Sequence, residues 1–267
     1  MTDDLMAPFW ENIVTTWSRY HSHYLIGARN TLIISFVSTF IGCLIGFAVG
    51  IVQALPDSPR AGKGRCAALK ILKIVLRSYV ELFRGTPMIV QAVFIYYGAR
   101  LVAGLHLDMW TAAFLIVSVN TGAYMAETVR GGILSIDPGQ EEAAHALGMT
   151  HVQTMLCVIL PQTFRNIIPQ IGNNLIINIK DTAVLSVISI TDLFFVHKSV
   201  SGSLYNYFES ATIIMVIYLI LTLSVSWLLR LLEKRLDGKQ HYDLATTDTL
   251  AHTSGLVRYA RPSEEKK

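Results

Sequence analysis

Long apolar runs separated by short polar ones define this chain, and the runs set its elements. Residues 30–55 form the first. That exceeds the roughly 20 residues an α-helix needs to cross a hydrocarbon core. Pro56, Asp57, Ser58 and Pro59 close it, and Gly42, Gly46 and Gly50 recur every four residues within it, on one helical face. Such a strip lets another helix approach closely, either from the same chain or from a second copy. Residues 60–82 read differently. Lys70, Lys73, Arg77, Glu81 and Arg84 recur at spacings of three and four among Leu69, Leu72, Leu76 and Leu82. This pattern predicts an amphipathic helix with a basic stripe, suited to a headgroup layer or an acidic protein surface. Gly85-Thr86-Pro87 then interrupts it, because proline removes a helical hydrogen bond and clashes with the preceding turn. The apolar residues 88–102 complete a second span. A third covers 109–134, a short polar helix follows over 138–151, a fourth hydrophobic region runs over 167–195, and a fifth span covers 212–232. The pattern predicts an all-α integral membrane protein with five transmembrane helices, without internal repeat or second domain. Residues 1–24 are expected to be an extracytoplasmic segment, 25–235 the transmembrane domain, and 236–267 a polar, disordered tail.

Composition supports a bilayer as solvent. Only 15% of the 267 residues are charged and 52% are hydrophobic, against about 25% charged in soluble chains; mean hydropathy is +0.45. The net charge of +3 is too small to point to nucleic acid. The placement of the basic residues is more informative. Arg60, Lys63, Arg65, Lys70 and Lys73 follow the first span, and Arg230, Lys234, Arg235 and Lys239 follow the fifth. With five spans, both groups share a side with the 138–151 helix, while the loops near 105–108 and 197–209 are poorer in Lys and Arg. The positive-inside rule makes the shared side, and the C-terminus, cytoplasmic. Residues 1–24 carry Asp3, Asp4 and Glu11 and lack the layout of a cleavable signal. Cys43, Cys66 and Cys157 share no metal-ligand spacing, and the histidines do not cluster. No phosphate loop is present, since Gly62-Lys63-Gly64-Arg65 lacks the spacing to wrap a phosphate, and there is no H-E-x-x-H or G-x-S-x-G. Catalytic residues, a metal and a cofactor are therefore not expected.

Two regions carry candidate chemistry. In the 138–151 helix, Ala143, Ala144 and Ala146 are small helix formers, Glu141 and Glu142 sit near the positive end of the helix dipole, and Gly148 can end the helix in a left-handed conformation. Small side chains let a partner groove close around the backbone, and His145 reads as a partner contact. The fourth hydrophobic region carries Asn173, Asn174, Asn178, Lys180 and Asp181. Charged groups inside a bilayer cost a few kcal/mol or more and usually face a cavity. Asn174, Asn178, Asp181 and Leu185 share one helical face. Asp181 can receive an ammonium group and the asparagines a carboxylate or amide; the alternative is a structural polar network between helices. Gln91 could line the same passage, as could Asn120, Tyr124 and Glu127, which read mainly as structural or gating residues. Glu127 and Arg130 are spaced to pair at i, i+3. Glu81 and Arg84 lie one turn apart and are expected to brace the bend at Pro87, and Lys180 joins the structural or gating set.

Glu142-Ala143-Ala144, then Gly148, then Val158-Ile159-Leu160-Pro161 resembles the E-A-A-x3-G-x9-I-x-L-P loop of permease subunits of bacterial ABC importers, with Val158 in place of isoleucine. Three further blocks follow the pattern of the polar amino acid uptake subfamily: Glu81 to Pro87 with Gln91, Ala123 to Glu127 with Arg130 to Ile133, and Lys180-Asp181-Thr182-Ala183. The resemblance covers about residues 31–234. It implies the five-helix permease fold and makes the 138–151 helix a coupling helix seated in an ATPase cleft. It also implies two ATPase subunits per complex, an extracytoplasmic amino acid-binding protein, and a second permease copy or homologous permease, all in the lipid of a bacterial inner membrane. Because Asn174, rather than a second carboxylate, accompanies Asp181, the reading favours glutamine, glutamate or another neutral or acidic substrate. Basic amino acids (arginine, lysine, histidine) are the alternative, and a channel or secondary transporter independent of ATP is the rival class.

Overall fold

A computed structural model describes residues 3–55 and 63–236. The expectations placed on Pro56 to Pro59, Arg60, Lys239 and the tail from residue 237 lie outside them. Among the described residues every regular element is helical: α1 (Asp3–Ala54), α2 (Lys63–Gly85), α3 (Met88–Ala103), α4 (Met109–Leu134), α5 (Pro138–Ala146), α6 (His151–Thr154), a π-turn (Met155–Ile159), α7 (Leu160–Asp181), a 3-10 segment (Thr182–Ile188), α8 (Leu193–Leu204) and α9 (Tyr207–Leu236). Among the described residues three helices are long and apolar enough to cross a membrane, namely Pro8–Ala54, Met109–Leu134 and Tyr207–Leu232. Met88–Ala103 is a shorter apolar helix. α7 has 22 residues but interrupts its apolar run with Gln162, Arg165, Asn166, Gln170, Asn173 and Asn174.

The first helix does not begin near residue 30. α1 is continuous over 52 residues, about 78 Å at 1.5 Å per residue, against a hydrocarbon core of about 30 Å. Its N-terminal half is held by packing of its own, which is what sustains most helices in proteins. Tyr24 and Ala28 pack with Leu193, Val196 and Val200 of α8 and Ile213 and Ile214 of α9. At the centre of this contact the Tyr24 hydroxyl lies 2.7 Å from Ser210 Oγ, and His197 Nδ1 lies 3.0 Å from the same oxygen.

The glycine strip is used within the chain. A Cβ on Gly42 would collide with Thr121, on Gly46 with Met125, and on Gly50 with Val129. α1 and α4 thus approach backbone to backbone, and α4 becomes the central helix, with Ile116, Val117, Met125 and Val129 fully buried.

The fourth hydrophobic region is not one span. α7 ends at Asp181, the chain tightens into the 3-10 segment, and Ser189 turns it at φ 65°. Asp192 then caps α8, accepting from the amides of Phe194 (3.1 Å) and Phe195 (2.9 Å). The expectation over 167–195 fails because apolar content continues through a reversal set by these polar residues. At the opposite end of the molecule, the last turns of α1 (Phe47, Ile51, Ala54) pack with Met125 and Val129 of α4, with Ile136, and with Met155 and Val158 of the π-turn. That end carries the loop helix.

Candidate coupling loop and charged cleft

α5 is built by local sequence. Asp137 caps it, accepting from the Gly139 amide at 2.8 Å, and Pro138 occupies the first turn, where a missing N–H costs little. It ends at Ala146, short of the expected 151, because Gly148 takes φ 81°. The Gly148 amide donates to the His145 carbonyl (2.9 Å) and the Met149 amide to that of Ala144 (3.1 Å), the paired bonds of a Schellman ending. Thr150 and Gln153 then form a capping box that starts a new helix. Only Ala144 points inward; Glu142, Ala143, Ala146 and Leu147 are exposed. Leu147, 84% exposed, was absent from the expected docking face. An apolar residue immediately before the terminating glycine was the signal. Behind the loop the helix passes through the π-turn, where the Leu160 amide reaches the Met155 carbonyl, immediately before Pro161. The wider turn accommodates the proline that follows.

The histidines also come together, contrary to expectation. His145 and His151 are six positions apart, which no helix face shares, but the turn at Gly148 folds the chain back. Their rings stack at 6.4 Å between centroids, with Glu141 beside both.

The break at Thr86-Pro87 is braced by amides. Gln91 Nε2 donates to the carbonyls of Phe83 and Thr86, both at 2.9 Å, and Asn120 Nδ2 of α4 donates to Gln91 Oε1 at 2.9 Å. Gln91 is buried with both ends of its amide engaged, so it serves this joint rather than the pathway expected of it. Glu81 and Arg84 do not brace the bend. Glu81 pairs with Arg77 at 2.8 Å, and Arg84 lies over the Tyr124 ring, 5.7 Å from its centroid. Pro87 occupies the position preceding α3. Glu127 and Arg130 pair as the spacing predicted. Together Lys73, Arg77, Glu81, Arg84, Glu127 and Arg130 line a cleft of about 430 Å³ between α2 and α4. It holds four cations and two carboxylates, and each carboxylate already has a cation against it. The basic stripe of α2 pointed to a surface; its meeting with Glu127 and Arg130 depends on tertiary packing.

The polar residues of α7 lie outside this cleft. Asn178 is buried, and its Nδ2 donates to Thr39 Oγ1 (2.7 Å) and Thr121 Oγ1 (2.9 Å). It ties α1, α4 and α7 together. Asn174 is partly exposed and donates to the Gln170 carbonyl at 3.0 Å. Asp181, half-buried, is the last residue of α7, and Lys180 beside it is exposed. The face shared by Asn174, Asn178 and Asp181 therefore passes from partial exposure into the core and back.

Residues 64–238 match the family described as binding-protein-dependent transport system inner membrane component. The glutamine transport system permease protein GlnP of Escherichia coli K12 is 37% identical over 211 residues, 79% of this chain and 91% of that protein. The arginine transport system permease protein ArtQ of Bacillus subtilis is 33% identical over 212 residues, covering 79% and 91%. Among solved structures, an amino acid ABC transporter determined with histidines superposes with a TM-score of 0.73 at 37% identity, covering 83% of this chain and 97% of that one. The MetNI methionine ABC transporter in an inward-facing conformation shares the fold, with a TM-score of 0.67 at 23% identity. A match across most of the chain, relatives aligned over nearly their whole length and the α5 loop geometry converge: this chain belongs to the binding-protein-dependent transport system inner membrane component family, the permeases of ABC importers.

Proposed function

We propose that the chain is the permease subunit of an ATP-driven importer of polar amino acids, with glutamine or glutamate as the favoured substrate. The observation that carries the mechanism is α5, a short helix of small exposed residues on a rigid capped base, packed on the π-turn and α6, with the π-turn in turn packed on the last turns of α1 and α4. An ATPase subunit grips Glu142, Ala143, Ala146, Leu147 and Gly148, and closure of two such subunits moves the loop. The displacement passes through the π-turn into α7, and through Ile136 into α4. This switches the pathway between its two facings. ATP hydrolysis belongs to the partner subunit. The working assembly contains a second permease, identical or homologous, and an extracytoplasmic binding protein.

The topology we assign has five crossings: α1, α2 with α3, α4, α7 with the 3-10 segment, and α9. The end bearing α5 and the basic residues of α2 and α9 faces the cytoplasm of a cell with an inner membrane, in keeping with the positive-inside rule. The substrate reading rests on the cleft and on the relatives. Within the cleft both carboxylates, Glu81 and Glu127, are already paired with an arginine, which leaves a basic side chain no open partner there. Asn174 and Asp181 are retained as pathway residues.

Two measurements test this reading. In cells carrying the complete system, glutamine or glutamate should compete best for uptake of labelled substrate; arginine or histidine competing best would refute the substrate assignment. The co-expressed ATPase should co-purify with the wild-type chain and be lost from Gly148→Asp. A stable complex in the variant would argue against docking at α5.

A further inference from the structure

We propose that Glu141, His145 and His151 form a binding site for a divalent transition-metal ion of the zinc type. One ligand atom from each residue lies within 4.8 Å of the other two. Glu141 Oε1 is 3.4 Å from His151 Nδ1 and 3.6 Å from His145 Nε2. These separations are too long for charge-assisted hydrogen bonds, which run about 2.7–2.9 Å. They match the edge of a tetrahedral ligand set, about 3.3 Å when each ligand is about 2.0–2.1 Å from the ion. One oxygen and two imidazole nitrogens suit zinc better than the hard, all-oxygen ions.

One outer contact agrees, that of His145, whereas the Nε2 of His151 is buried without a hydrogen-bond partner. His145 Nδ1 lies 3.0 Å from the Met149 carbonyl oxygen. A proton on Nδ1 donated to that carbonyl leaves Nε2 as a lone pair aimed at Glu141, the tautomer arrangement that ligating histidines use. Glu141, His145 and His151 side chains are 46%, 43% and 34% exposed, so an ion can enter and a fourth position is open to water. Glu141 and His145 stand on α5 and His151 on α6, with the Gly148 turn between them. A bound ion would therefore staple α5 to the next helix across its only glycine hinge. This site requires no assumption about which protein the loop meets.

The test is titration of the full chain, purified on a tag without histidines, with Co²⁺ as a spectroscopic substitute for Zn²⁺. One equivalent should bind with the visible bands of a tetrahedral site and be displaced by Zn²⁺. Losing an outer-shell contact costs roughly 10–100-fold in affinity, so Glu141→Gln, His145→Ala and His151→Ala should each weaken binding at least about tenfold. His106→Ala, at an exposed position elsewhere, should not. Circular dichroism of each variant controls for folding. Zn²⁺ should also slow amide exchange over residues 141–151 in the wild type and not in His151→Ala. Unchanged Co²⁺ affinity in all three variants, or absence of tetrahedral bands in the wild type, would overturn the proposal.

Discussion

At the scale of single residues, the polar groups of the spanning region divide by whether their hydrogen-bonding capacity is already used. Gln91 and Asn178 have their amides committed to neighbouring helices. Asn120 Nδ2 would still donate to the Phe83 carbonyl, but Gln91→Leu would remove the donor to the Thr86 carbonyl and one acceptor of the Asn120 amide in a buried joint, at a cost of about 1–3 kcal/mol. We expect a lower unfolding temperature in detergent; an unchanged melt would show that the break is held by something else. Asp181 is different, because it is half-buried at a helix end and, among the described residues, only its neighbour Lys180 acts on its charge. Asp181→Asn should leave complex assembly intact and reduce uptake on the order of tenfold, the worth of one hydrogen bond to a charged group. Uptake at the wild-type rate would remove Asp181 from the pathway.

At the scale of elements, the contact between α1 and α4 is the most extensive among the described helices. Gly46→Leu would drive a side chain into Met125 and Ala126. Overpacking typically costs about 1–3 kcal/mol, so the variant should show reduced yield and a lower melting temperature. Gly98→Leu is the matched control: a Cβ there meets only the ring of Phe94, at 3.8 Å, and the substitution should be tolerated. The contact of α1, α8 and α9 carries a pH signature. Burial pushes the His197 imidazole below its ordinary value of 6.5. The unfolded chain then binds a proton more readily than the folded one, so stability should be full above about pH 6.5 and fall as pH drops below it. A melting series from pH 8 to pH 5 on wild type and His197→Gln would measure this, with a weaker acid dependence expected in the variant.

These elements also show what a linear reading can reach. The α2–α3 break, the Glu127–Arg130 pair and the Gly148 ending were legible because each is fixed by residues within four or five positions. The N-terminal extension of α1 was not, because polar residues such as Arg19, His21 and His23 mask a helix stabilised by distant α8 and α9. The reversal at Ser189 was hidden inside an apolar run. The Glu141–His145–His151 cluster escaped for a related reason, since it needs a turn between two helices that were read as one. The glycine strip was legible as a close contact, but its partner, α4 of the same chain, was not.

At the scale of the whole molecule, the two ends of the helical body have different tasks. One carries α8 and the polar contact around Ser210; the other carries α5, the π-turn and the mouth of the charged cleft. The helix ends between them are linked by the Asn178 and Gln91 joints, so on the proposed mechanism a push on the loop would travel through packed helices rather than through a flexible linker. Breaking that transmission without breaking the fold should uncouple the transporter. Pro161→Ala restores a backbone donor next to the π-turn and should let it relax toward regular α-helix, turning the loop relative to α7. The assembled variant should keep its ATPase subunits yet transport less per ATP hydrolysed; an unchanged transport-to-hydrolysis ratio would show that the π-turn carries no motion. The most direct measurement of the central claim is accumulation of labelled glutamine in proteoliposomes prepared with and without the ATPase, with binding protein supplied outside and ATP inside. Uphill accumulation is predicted only when the ATPase is present, and accumulation by this chain without it would contradict the account.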